Sequence, residues 1–235
     1  MDSPLFTVFF VLVFLGLVGV FAYRSHLAEK RRTEELQQVA GELGYAFFPE
    51  GDAALFESLG GFHLFSLGHS RKLWNLMRGK SRGVELAVFD FKYVTGGGKH
   101  SHTWHHSVIR FQFNEASLPS FSLRPENVFH KIGEWFGYQD IDFKSRPDFS
   151  SRYLVRGREE NAIRNLFTDR VLTFYEQQFE LSTEGAGDQL LVYRHDRRLP
   201  PEGIRSLLEE GFAVLSMFHP SAGQSLQHNL ESEEG

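Results

Sequence analysis

The stretch VELAVFDFKYVTGGGKHSHTWHHSVIRFQF, residues 84 to 113, decides the fold. From Val84 to Thr95 the side chains alternate: Val84, Leu86 and Val88 point one way, and Ala87, Phe89, Phe91 and Tyr93 the other. Both faces begin apolar, which places this strand centrally in a sheet. Gly96, Gly97 and Gly98 break it, and Trp104 to Phe113 resumes the alternation with Ile109, Phe111 and Phe113 on one face. The two runs predict a long hairpin. If its aromatic sets share a face, Asp90 stands opposite Arg110 and Phe91 opposite Ile109, with the turn centred near His100.

Toward the N-terminus, Tyr45–Phe48 and Phe62–Leu67 read as short strands around a small helix capped by Asp52, which carries Leu55, Phe56 and Leu59. Toward the C-terminus, Pro125 opens a helix that buries Val128, Phe129, Ile132 and Phe136. Asp140–Phe143 and Tyr153–Val155 read as short strands, and Glu159–Gln177 as one amphipathic helix. Phe179–Ser182 and Gln189–Tyr193 form a second hairpin about a turn at residues 184–188. Pro200 and Pro201 start a last helix, with Gly211 as its weak point. Strands and helices mixed in this way, joined by hairpins, indicate an α+β fold with a mainly antiparallel sheet packed against several amphipathic helices.

Leu5 to Ala22 is an uncharged apolar run of 18 residues. As a helix it reaches roughly 27 Å, close to the hydrocarbon thickness of a bilayer. This predicts a single N-terminal transmembrane helix, with the bilayer as its partner through residues 5–22. Residues 24–32 carry Arg24, Lys30, Arg31 and Arg32 against Glu29, a net of +3, whereas Asp2 is the sole charged side chain before the apolar run. The positive-inside bias then predicts a single-pass protein of the cell membrane, N-terminus outside and C-terminus cytoplasmic. A secretory signal needs a basic start and a small-residue cleavage site, which this run lacks. A buried core helix would show a polar side, and it shows none.

Residues 1–23 thus read as anchor and 24–44 as a juxtamembrane helix. Residues 45–220 read as one cytoplasmic domain, and 221–235 as a disordered acidic tail ending in Glu231, Glu233 and Glu234. Of the 24 phenylalanines, 19 lie beyond the anchor, ample for a core. The absence of cysteine excludes disulfides, thiolate nucleophiles and Cys-ligated zinc. A formal charge of −5 argues against nucleic acid as a partner.

Histidines crowd the hairpin tip: His100, His102, His105 and His106. Imidazole is a common metal ligand, and a His-x-His pair on a strand points both rings to one face, so these four are candidate ligands for zinc or another divalent metal. They would serve a metal-dependent enzyme, the alternative to a binding or scaffolding module. The run Tyr93 to Ser101 departs from a phosphate-binding loop, because His100 follows Lys99 where Ser or Thr is needed. Arg71, Lys72, Arg78, Lys80 and Arg82 surround Trp74. Arg24, Lys30, Arg31, Arg32, Arg71 and Lys72 are candidates to rest on anionic lipid headgroups, the competing reading being a solvated segment with Trp74 in the core. Asp140, Asp142 and Asp148 read as turn residues, and His63, His69, His130, His195 and His219 are scattered. No nucleophile, base and acid fall together, so an unknown protein or the lipid surface is the expected partner.

Phe65, Gly68-His69-Ser70-Arg71-Lys72, Asn75 to Gly79, Val88 to Tyr93 and Thr95 to Lys99 resemble a group of uncharacterised bacterial proteins. The resemblance covers the first half of the chain. It implies one N-terminal membrane helix before a cytoplasmic α+β domain, and no catalytic residue.

Overall fold

The computed structural model describes residues 4–81, 84–113, 117–126 and 140–219, with backbone alone for 4–7. Helix α1 (Pro4–Leu43) runs unbroken for 40 residues, the expected anchor and juxtamembrane segments in one rod. It is long and apolar enough to cross a membrane, and none of its most apolar window is buried against the chain, so it is no core helix. Its last third differs: Leu36 and Ala40 are buried, with Val39 and Leu43 packed beside them. The helix ends where Gly44 takes φ +70°. The Gly44 amide donates to the Gly41 carbonyl at 3.1 Å and that of Tyr45 to Ala40 at 2.8 Å, satisfying carbonyls that the last turn would orphan.

Eight strands form one sheet: β1 (Ala46–Phe48), β2 (His69–Ser81), β3 (Val84–Thr95), β4 (His102–Gln112), β5 (Leu118–Pro125), β6 (Tyr153–Gly157), β7 (Leu181–Gly187) and β8 (Gln189–Arg194). Their order is β1-β2-β3-β4-β8-β7-β5-β6, every pair antiparallel. Pairing of β4 with β8 joins the two halves of the chain. Helices cover both faces. Helix α2 (Ala53–Ser58), capped by Asp52 through the Leu55 amide at 2.9 Å, and α3 (His63–Ser66) bring Leu55, Leu64 and Phe65 onto Phe89, Phe91 and Tyr93. On the other face lie α1, α4 (Pro147–Ser150), α5 (Glu160–Leu166), α6 (Asp169–Gln177) and α7 (Ile204–Phe218). They enclose Leu86, Val88, Ile109, Phe111 and Val192. The α+β architecture is therefore as the alternation indicates.

Several expectations need correction. The hairpin pairs Ala87 with Arg110, Asp90 with Ser107 and Phe91 with His106. The expected register put the aromatic sets of the two strands on one face; both faces are covered by helices, and the sets of β3 and β4 lie on opposite sides. Phe62–Leu67 contains helix α3, whose first amides meet a buried carboxylate. The basic stretch from Arg71 belongs to strand β2, and Arg82 lies outside the described residues. Glu159–Gln177 is two helices parted at Phe167 and Thr168. Pro125 ends β5, a strand not foreseen, and the helix expected beyond it lies outside the described residues. Asp140 makes a single bridge to Arg156 in place of a strand. The turn of the second hairpin shrinks to Asp188, because Glu184, Gly185 and Ala186 continue β7. Gly211 leaves α7 unbroken and lets it approach the sheet: a Cβ there would stand 2.7 Å from Ile109 Cδ1.

Candidate functional site

Where α1 crosses β3 the apolar layer gives way to charge. Asp90 follows Val88 on the same face of β3 and is 2% exposed. Arg32 of α1 grips it with two bonds, Nε to Oδ2 at 2.9 Å and Nη2 to Oδ1 at 2.8 Å, and a third donor reaches the Leu199 carbonyl at 2.6 Å. Arg198 donates Nε at 3.1 Å, and Asn75 donates Nδ2 at 2.9 Å. Asn75 reaches there because β2 bulges between Trp74 and Met77, and Asn75 itself sits at φ +51°, a region that asparagine tolerates. Its Oδ1 accepts from Thr33 Oγ1 at 2.9 Å, a second tie to α1.

Arg198 also donates to both oxygens of Glu29 at 2.6 Å. The result is a row of alternating charge, Arg32, Asp90, Arg198, Glu29, that sums to zero. The hydrogen bond from Arg198 holds the Glu29 carboxyl below its ordinary range despite partial burial. Burial works against the charge of Arg198, and Glu29 with Asp90 outweighs it. The connector after β8 is stitched to β4 beneath: the Ser107 amide donates to the Arg197 carbonyl at 3.0 Å, and the Leu199 amide to Ser107 Oγ at 3.0 Å.

Beside this clamp a cleft of about 790 Å³ opens between α1 and strands β2, β3 and β4. Ser25, His26 and Lys30 come from the helix; Lys72, Lys92 and His105 come from the sheet. Trp74 forms the floor, half-buried instead of in the core as one reading expected. Three cations surround its ring: Arg198 Cζ at 5.1 Å, Lys92 Nζ at 5.7 Å and Lys72 Nζ at 5.9 Å from the centroid.

The histidines of the hairpin are not brought together. His100 is exposed on the turn at Gly98–His100, and His102 is exposed 3.6 Å from Asp196. His105 faces the cleft, its pKa lowered by burial and then by Arg198 and Lys92. His106 is buried on the opposite face, its pKa pushed down to about 3, chiefly by burial, with Nε2 accepting from the Asp196 amide at 3.2 Å. Among the described residues no group of three or more His, Asp or Glu is arranged to hold a metal ion.

The basic candidates divide: Lys30 and Lys72 line the cleft together, and the others do not. Arg32 is committed to Asp90, Arg31 to Glu35 at 2.9 Å, and Arg71 to the Phe65 carbonyl. Lys30 lies 3.9 Å from Glu34, Arg24 is exposed on α1, and Lys72 lines the cleft. Sequence reasoning missed Lys92 and Arg198, which belong to the same cleft. It also missed Glu184, fully buried in β7, which accepts from the amides of His63 at 2.6 Å and Leu64 at 3.1 Å and from the Tyr193 hydroxyl at 2.6 Å. Burial raises the pKa of that carboxyl against the pull of Tyr193 and Arg124. His63, its imidazole 2.7 Å from Arg124, is pushed down to about 3 by burial first and then by that cation.

No family model matches the chain, and no curated protein matches it. Among solved structures, the crystal structure of the mycobacterial trehalose monomycolate transport factor A, TtfA, resembles it with a TM-score of 0.53 at 15% identity, covering 80% of this chain and 92% of that one. At that identity the likeness is one of fold, an α+β domain with helices on an antiparallel sheet.

Proposed function

We propose that the chain is a single-pass, membrane-anchored binding or scaffolding module whose folded domain faces the cytoplasm. One observation carries the reading: the apolar helix does not end in a flexible tether but continues into the domain, where Arg32 and Asp90 lock it to the sheet. A removable signal would not be built into the fold. The cytoplasmic side is supported by Arg24, Lys30, Arg31 and Arg32 just beyond the apolar run. The fold it shares with a transport factor agrees with a module that holds a protein or lipid, and transfers neither the cargo nor any residue of that factor. The test joins fractionation with a C-terminal reporter active only outside the cytoplasm. Carbonate-resistant membrane association with a silent reporter is expected. Release by carbonate would defeat the anchor, and strong reporter activity the orientation.

A further inference from the structure

We infer that the cleft over Trp74 holds the anionic headgroup of a membrane lipid, an inference that rests on the membrane-anchor reading. Its first ground is an unfavourable placement. In the β2–β3 register Lys72 stands directly opposite Lys92. Like charges opposed across strands destabilise a sheet. Neither lysine is paired with a carboxylate among the described residues; each has the Trp74 face instead. The nearby carboxylates are engaged elsewhere: Glu29 by Arg198, and Asp196 by the His105 amide at 3.1 Å and by His102. Glu50 at the rim is the exception, and one carboxylate does not balance the two lysines. A phosphate placed between Lys72 and Lys92 would turn their repulsion into two charge-assisted contacts.

The second ground is position. Ser25 and Glu29, which line the cleft, lie three and seven residues beyond Ala22, the end of the apolar run. Along a helix this is about 5 to 10 Å past the hydrocarbon edge, level with lipid headgroups. A tryptophan bordered by cations at that depth suits an interface where one end is apolar and the other wet. The same phosphate chemistry could come from a soluble phosphate, but a site built against the membrane end of α1 favours the lipid.

The test uses the full chain, 15N-labelled at tryptophan, in neutral detergent micelles. Phosphatidylglycerol, phosphatidylcholine or inorganic phosphate is titrated in while the Trp74 indole signal is followed. Trp104, on the opposite face of the sheet, is the internal control. Saturable movement of the Trp74 signal against an unmoved Trp104 signal with phosphatidylglycerol, absent with phosphatidylcholine, is expected. With each basic residue contributing its usual share, Lys72→Gln with Lys92→Gln should weaken it about 30-fold, and Lys80→Gln, outside the cleft, should leave it unchanged. Removing opposed like charges should not unfold the chain, and an unchanged Trp104 signal checks this. Saturation by inorganic phosphate with no further response to lipid would overturn the lipid source. No movement in any titration, or movement unaffected by the double variant, would overturn the site. Lipid binding by a chain that carbonate strips from membranes would uphold the site and sink the anchor reading.

Discussion

Replacing Arg32 with Met keeps the aliphatic stem along the sheet and deletes the guanidinium. Asp90 would then lose two charge-assisted hydrogen bonds, each worth about 1.5–3 kcal/mol when its partner stays buried. Arg198 and Asn75 still donate to it, so the loss should fall short of the sum and at the low end of the 3–5 kcal/mol of a half-removed buried pair. An expected loss of about 3 kcal/mol, with a urea slope of about 2–3 kcal/mol/M, lowers the unfolding midpoint by about 1–1.5 M. Urea unfolding of the full chain in neutral detergent, followed by tryptophan fluorescence, measures it. Asp90→Asn and the double variant complete a cycle whose coupling should be about 2 kcal/mol, because each single change removes the same two charge-assisted bonds. A loss under 1 kcal/mol, or additive single losses, would refute the clamp.

Because burial raises the Glu184 carboxyl pKa, the folded chain keeps that proton longer than the unfolded one. Its stabilising share is complete below the unfolded value near 4.5 and is lost as pH rises through the folded one. The stability difference, wild type minus Glu184→Gln, should therefore fall as pH rises above 4.5; a flat difference would remove the argument. His106 works the other way. With its pKa lowered to about 3, the wild type should lose about 1.4 kcal/mol per pH unit as pH falls from 6 toward 4, and His106→Gln should show a shallower acid slope in thermal melts. Gly211→Val should cost about 2 kcal/mol by overpacking against Ile109 and Phe111, and an unchanged thermal midpoint would contradict the close approach of α7.

Strands β3 and β4 were legible because their alternation is dense in aromatic and β-branched residues, and Asp52 announced its helix through its position. Strand β2 was hidden by its charge. Arg71, Lys72, Arg78 and Lys80 mask its pattern, and the bulge at Asn75 shifts the phase of what alternation remains. The clamp was invisible for a different reason: Arg32 and Asp90 are 58 residues apart and Asp90 and Arg198 are 108 apart, so no local spacing joins them. Glu184 sits in a glycine-rich run that reads as a turn. Gly185 is there because Phe121 packs where a side chain would be, a Cβ standing 2.3 Å from its ring. The register failed on the assumption that the aromatic sets of the two strands share a face, which the helices covering both sides remove.

Set in a bilayer, the uninterrupted α1 would act as a lever. From Ala22 to Leu43 it extends about 32 Å beyond the apolar run, and its far end is fixed in the domain. In a bilayer, hydrophobic mismatch is relieved partly by tilt, about 20° on average for membrane helices. A tilt of that size would swing the far end of the rod by about 11 Å, a displacement that a flexible linker would absorb and this one passes on. Membrane thickness would thereby set the height and attitude of the sheet above the lipid, and a partner bound there would sense the bilayer without touching it.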